Sequence, residues 1–133
     1  MNSRTALIAA IALDMVLASR YIPGGSFPIA WYRRWISTIG NMYIRVLLGW
    51  GVHDWSTGYK AWRGDFLRRV MQQPMRGVGY AWLMEMTWLA GRLGGRIGEV
   101  PLVFRERRGG ASKFSWRIAS EDLRLAWILS RQR

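Results

Sequence analysis

The sequence predicts a mixed α/β fold, and three stretches carry that prediction. Asp14 to Ser19 is a short apolar run of strand length, Ile29 to Trp50 is long enough and periodic enough to be a helix, and Arg96 to Glu106 alternates as a strand does. At 133 residues the chain is sized for one core, with no repeat, low-complexity segment or linker to divide it.

In chain order, Thr5 to Ser19 is apolar but broken by Asp14 and closed by Arg20, too short to span a bilayer and without a cleavage site. It reads as a short helix running into the strand Asp14 to Ser19. The prolines and Gly-Gly pair of Arg20-Tyr21-Ile22-Pro23-Gly24-Gly25-Ser26-Phe27-Pro28 exclude regular structure, placing a loop at a strand end, where α/β proteins meet ligands. In the helix that follows, Trp35, Ile39, Met42 and Val46 recur at three- and four-residue steps. That stripe suits either an interfacial helix with Arg33, Arg34 and Arg45 at lipid phosphates or a core helix with a solvated basic face, and Gly40-Asn41 could split it. Next come a turn-rich segment at 51–58, a short strand Tyr59 to Arg63, a helix Asp65 to Gln72, a loop Pro74 to Gly79 and a helix Tyr80 to Arg92 that Gly94-Gly95 ends. Pro101 marks the strand Arg96 to Glu106 as an edge or a bulge. A basic loop, Arg107 to Lys113, precedes a final amphipathic helix, Trp116 to Arg131.

Lys plus Arg number 20 against 8 acidic residues, a formal charge of +12, and only Lys60 and Lys113 are lysines. Guanidinium groups offer paired planar donors that match phosphate oxygens, so the partner expected is a phosphate-bearing surface or ligand. Nine tryptophans suit either core packing or a bilayer interface, where a ring can be apolar at one end and wet at the other. Nucleic acid is not expected as a partner, because the aromatics fall among apolar helix neighbours and no recognition motif is present. With no cysteine and a single histidine, His53, neither a disulfide, a zinc site nor a histidine-based nucleophile pair is supported.

Three places concentrate the chemistry. Arg20 stands at a strand end, Arg33 lies one helical turn before Ser37, and Arg107 shares a loop with Ser112 and Lys113. An Arg at i and a Ser at i+4 share a helix face, so both can reach one oxyanion.

These residues stand in a longer pattern. Leu13-Asp14-Met15-Val16-Leu17-Ala18-Ser19-Arg20-Tyr21-Ile22-Pro23-Gly24-Gly25-Ser26 is followed by Trp31, Arg33, Ser37, Gly40-Asn41 and Leu48-Gly49, then His53-Asp54-Trp55-Ser56-Thr57-Gly58-Tyr59-Lys60-Ala61. Gly79-Tyr80-Ala81-Trp82 with Glu85-Met86 comes next, then Glu99-Val100-Pro101 with Phe104, Arg107, Gly110 and Ser112-Lys113. The pattern resembles the second half of the polyprenol (dolichyl) phosphate mannose synthases of glycosyltransferase family 2.

The resemblance implies a partial GT-A-type glycosyltransferase domain lacking the N-terminal nucleotide-binding half. Residues 13–113 would be the acceptor-side part and 114–133 a C-terminal amphipathic helix. It implies inverting transfer of mannose from GDP-mannose to a polyprenol or dolichyl monophosphate, with Mg²⁺ or Mn²⁺, at the cytoplasmic face of the membrane as a peripheral protein. Arg20, Arg33, Ser37 and Arg107 would ligate the acceptor phosphate, Ser112 and Lys113 would support a closing loop, and Asp54 and Glu85 would be polar supports near the donor sugar.

Two departures stand out. Leu83 occupies the position of the family's Gln two residues before Glu85, and no Asp-x-Asp pair occurs among the eight acidic residues. The ligands for a cation bridging a pyrophosphate are therefore not expected in this chain, and catalysis would need a longer polypeptide or a partner chain carrying the donor-binding half. The alternative is a non-catalytic basic amphipathic fragment that binds membranes or polyanions.

Overall fold

A computed structural model describes residues 11–103, 105 and 115–132. Arg107, Ser112 and Lys113 lie outside the described residues.

Strand β1, Met15–Ser19, alternates fully buried Met15, Leu17 and Ser19 with half-buried Val16 and Ala18. It is the centre of a three-stranded sheet, order β2-β1-β3, in which β2 (Lys60–Trp62) pairs with it antiparallel and β3 (Ile97–Pro101) parallel. The register sets Leu17 opposite Lys60 on one side and Glu99 on the other. Both faces of a strand alternate, so Met15, Leu17, Ile97 and Trp62 share the helix-covered face with Lys60 and Glu99. The opposite face carries Val16, Ala18, Ala61 and Val100, of which Ala61 and Val100 are exposed.

After β1 come the helices α1 (Trp31–Leu48), α2 (Gly64–Met71), α3 (Tyr80–Arg92) and α4 (Trp116–Ser130). Helix α4 packs against both α1 and α3, and Ser115 caps its first turn by accepting from the Arg117 amide. One cluster of buried apolar side chains joins β1 to all four helices, running from Met15 and Leu17 through Ile44, Phe66, Val70, Met84 and Leu89 to Leu125 and Leu129. Helix α3 is buried continuously from Met84 to Ala90, so its two-sided pattern in the sequence gives way to burial all round.

Helix α1 departs from expectation in two ways. It runs unbroken through Gly40-Asn41, because the Asn41 side chain is spent on the loop beyond the helix: it donates to the His53 carbonyl and accepts from the Trp55 amide at 3.0 Å. Its inward residues are Asn41, Ile44 and Leu48, whereas Trp35, Ile39, Met42 and Val46 are exposed. The core-helix reading of that stripe is thereby overturned.

The Pro-Gly-Gly loop closes over the end of β1. The Gly25 amide donates to the Ile22 carbonyl and the Ser26 amide to Leu102, while Leu102 donates to the Ser19 carbonyl. A β-carbon on Gly25 would lie 2.5 Å from the Ser19 carbonyl oxygen and 2.9 Å from the Arg20 carbonyl carbon, so only glycine fits against that peptide. Gly25→Ala is expected to cost about 1–3 kcal/mol, read as a lower denaturant midpoint. A second outcome concerns α4, where burial, aided by Glu121, pushes the Asp122 carboxyl up to about 6 and its Oδ1 has no partner. A raised folded pKa contributes stability below the unfolded value near 4 that is lost as pH rises through 6. Asp122→Asn should therefore stabilise the chain at pH 7, by about 1 kcal/mol once solvent screening of this partly exposed group is allowed for, and have no effect at pH 3.

Candidate functional site: an arginine-aromatic cleft at the strand ends

Because β1 and β3 are parallel, both carboxyl ends fall at the same edge of the sheet, and there the buried face turns from apolar to polar. Met15 and Leu17 give way to Ser19, and Ile97 gives way to Glu99. Asp54, 0% exposed, occupies this edge. A buried carboxylate is tolerable only when its oxygens are filled, and five donors fill these. Oδ2 accepts from the Arg20 amide at 3.1 Å and Nε at 2.9 Å, and Oδ1 from Arg20 Nη2 at 3.0 Å, the Ser56 amide at 3.3 Å and the Ser56 hydroxyl at 3.1 Å.

Arg20 is thus held as a fork, with Nη2 also donating to Ser56 Oγ at 2.6 Å. Burial pulls the pKa of its guanidinium down, but the hydrogen-bonded Asp54 outweighs this and raises it above its ordinary value, so the group is always charged. Its flat face lies 5.1 Å from the Phe27 ring centre and 5.5 Å from that of Tyr21. Arg34 approaches the same Phe27 ring at 5.7 Å, so one buried aromatic is the platform for two guanidinium groups.

These residues line an open cleft of about 750 Å³ with Ile22, Pro23, Gly25, Trp31, Trp35 and Thr38. Helix α1 begins at its rim with an uncapped, basic first turn: Ala30 supplies no side-chain cap, and no acidic residue follows. A positive dipole end beside arginines is electrostatically unfavourable, and an anion in the cleft would relieve it.

The sequence placed Arg33 and Ser37 at this site. Arg34 and Thr38 line the cleft in their stead, one position further round the helix. Ser37 bonds through its Oγ to the Tyr21 hydroxyl at 2.8 Å, and so orients a wall of the cleft. Burial raises the Tyr21 phenol above its usual range despite Ser37, so it stays neutral. Arg33 lies beside the Tyr32 ring at 5.9 Å. Glu85, 2% exposed, accepts from the amides of Arg76 at 2.8 Å and Gly77 at 2.6 Å, anchoring the 74–79 loop. The signal for Arg34 and Thr38 lay in the helical spacing of 31, 34, 35 and 38, one face of a helix.

Among the described residues, the carboxylates at and near this edge are already engaged. Asp54 is saturated, Glu85 holds a loop, Asp14 is tied to Arg63 and Arg96, and Glu99 is tied to His53. Among the described residues no three His, Asp or Glu side chains converge.

Lys60 shares the polar edge. Its Nζ donates to the Leu83 carbonyl, and burial lowers its pKa from 10.5 to about 8, against the pull of Asp54. The unfolded chain keeps this proton to higher pH than the folded one, so stability should rise between pH 8 and 10, by about 2 kcal/mol. Thermal unfolding across that window should show the rise in the native chain and not in Lys60→Met.

No family model matches the chain. It is 41% identical over 110 residues to the undecaprenyl-phosphate mannosyltransferase of Micrococcus luteus, covering 81% of this chain and 45% of that protein. It is 39% identical over 105 residues to the polyprenol monophosphomannose synthase of Mycolicibacterium smegmatis, covering 77% of this chain and 39% of that protein. The chain spans less than half the length of these relatives. Over the aligned part it is homologous to the polyprenol-phosphate mannose synthases and matches a partial member of that family.

Proposed function

We propose that the chain is the acceptor-side part of a GT-A-type glycosyltransferase, binding a polyprenyl monophosphate at the membrane surface for transfer of mannose from GDP-mannose. The observation that carries this reading is the cleft of Arg20, Arg34 and Phe27 opening against the outward apolar stripe of α1. Trp31 and Trp35, 76% and 63% exposed, belong to both. A phosphate in the cleft could therefore keep its isoprenoid chain against α1 and the acyl layer without crossing a polar barrier.

A phosphomonoester carries roughly −1.5 to −2 charge near pH 7, so no general base is needed. Its oxygen bonds to the anomeric carbon from the face opposite GDP, the carbon–oxygen bond to GDP breaks, and configuration inverts. Arg20 and Arg34, with the uncapped start of α1, hold the nucleophile in line. Arg33, Ser37 and Arg107 are further candidates for the same phosphate, with Ser112 and Lys113 on the loop that closes it. Asp54 supports the site by fixing Arg20, and Glu85 by fixing the 74–79 loop.

The donor, and the Mg²⁺ or Mn²⁺ that the family resemblance implies, are assigned to the part of the relatives' length that this chain does not span, in one longer polypeptide or a partner chain. The exposed sheet face with Ala61 and Val100 offers apolar surface for that part, since parallel pairs are normally covered on both faces. No described helix is long and apolar enough to cross a membrane, which agrees with peripheral attachment, proposed here at the cytoplasmic face. The relatives' names favour this reading over a non-catalytic polyanion binder.

Vesicle co-sedimentation tests it. The chain should bind phosphatidylcholine vesicles carrying undecaprenyl phosphate more tightly than vesicles of equal charge carrying phosphatidylserine. Arg20→Lys should remove about tenfold of that preference, since one ammonium cannot replace a fork. Trp31→Ala with Trp35→Ala should weaken binding to both. Equal binding to the two vesicles would reject the phosphate site, and turnover of GDP-mannose by this chain alone would reject the division of labour.

A further inference from the structure

Glu99 is a carboxylate on β3, only 10% exposed at its side chain, that does not line the cleft and pairs with no arginine among the described residues. Its register beside Leu17 brings it up on the helix-covered face, at the polar edge of the sheet. There Oε1 accepts from the amides of His53 at 3.0 Å and Asp54 at 3.3 Å, while Oε2 lies 2.6 Å from His53 Nδ1. From the opposite side, Asn41 in α1 takes the His53 carbonyl and, at 3.0 Å, the Trp55 amide. Residues 53–55 are therefore gripped at successive peptide units, by a strand on one side and a helix on the other. The middle residue of the three is Asp54, whose two oxygens hold the Arg20 fork.

A tie of this kind is costly if it serves stability alone. Burying a carboxylate and an amide is offset only when every polar atom is matched, and a well-packed apolar pair would join loop to strand as firmly. What polar ties add is a fixed position. Arg20 is bound at Nε and Nη2, so the direction of its remaining edge toward the cleft is set by where Asp54 stands. Asp54 in turn stands where Glu99 and Asn41 put its backbone.

We propose that Glu99 and Asn41 are positioning residues for the phosphate site, acting through the 53–55 backbone and Asp54 to orient Arg20. This rests on the reading of the cleft as a phosphate site, and two readouts keep the two claims apart.

The first readout is hydrogen exchange of the Arg20 Nε proton by ¹⁵N NMR on the 133-residue chain, its signal assigned by its loss in Arg20→Lys. The second is the preference for vesicles carrying undecaprenyl phosphate. Glu99→Ala and, independently, Asn41→Ala should speed the Arg20 exchange by about tenfold or more and lower the preference by a similar factor. Glu99→Gln should keep both within about threefold, because its carbonyl can accept from the two amides and its NH₂ can donate to His53 Nδ1. Asp14→Asn is the control. It loosens the other end of β1, where Asp14 accepts from the Arg96 amide at 2.7 Å and pairs with Arg63, and it should lower stability without changing either readout.

If Glu99→Ala leaves Arg20 exchange unchanged, or Asp14→Asn speeds it equally, the positioning role is wrong. If the native chain shows no preference for the phosphate lipid while Glu99→Ala still frees Arg20, the phosphate reading fails and the relay stands.

Discussion

The burial of Asp54 is the constraint on which the rest of the site depends. A carboxylate with no solvent contact must be surrounded by donors, and supplying them decides the positions of several other groups. Arg20 has to leave the end of β1 with both its amide and its guanidinium turned toward the 54–56 turn. That direction makes the chain double back at once, which is what Pro23, Gly24 and Gly25 provide, with Gly25 pressed on the Ser19 carbonyl. The doubled-back loop delivers Phe27 beneath the two arginines. Removing one partner of such a pair strands a buried charge, a loss of about 3–5 kcal/mol, so the arrangement is held as one unit.

The direction of the strands separates an apolar end of the sheet from a polar one. At the amino ends of β1 and β3, Met15, Leu17 and Ile97 pack toward the apolar cluster, and Trp62 stacks on Phe66 with ring centres 6.4 Å apart. At the carboxyl ends the same face presents Ser19, Glu99 and Asp54. Antiparallel β2 contributes Lys60, its first residue, to that polar end. Its ammonium is poorly solvated there, a cost the protein carries at neutral pH in exchange for a donor to the Leu83 carbonyl.

Sequence patterns revealed the elements better than their orientation. The helix over 80–92 was readable to the residue, because Gly79 and Gly94-Gly95 punctuate it, and the Ser-Arg-Tyr to Gly-Gly block announced a loop at a strand end. The stripe of Trp35, Ile39, Met42 and Val46 was equally clear as a period, but amphipathicity gives a face and not a direction. Here the apolar stripe points outward, and a polar Asn41 points in with Ile44 and Leu48. Arg33 and Arg34 differ by about 100° of helix rotation, and it is Arg34, on the face of residues 31, 35 and 38, that lines the cleft. The Glu99–His53 pair spans 46 positions and existed in the sequence only as two unrelated residues.

Cations laid on aromatic rings recur where the structure meets its surroundings. Arg45 lies 4.8 Å from the Trp50 ring centre and Arg131 4.3 Å from that of Trp127, and both tryptophans are exposed. A ring beneath a guanidinium places an apolar body and a phosphate-seeking edge within one side-chain length, the depth over which a bilayer changes from acyl chain to head group. The exposed stripe of α1 runs from the cleft, where Arg34 is matched with Phe27 in the same way, to the Arg45–Trp50 end of the helix. The chemistry that would hold the protein on a lipid surface is therefore the chemistry that would hold one lipid's phosphate, differing in the depth to which the ring is buried. Phe27 is buried beneath its arginines, whereas Trp50 and Trp127 are exposed beside theirs.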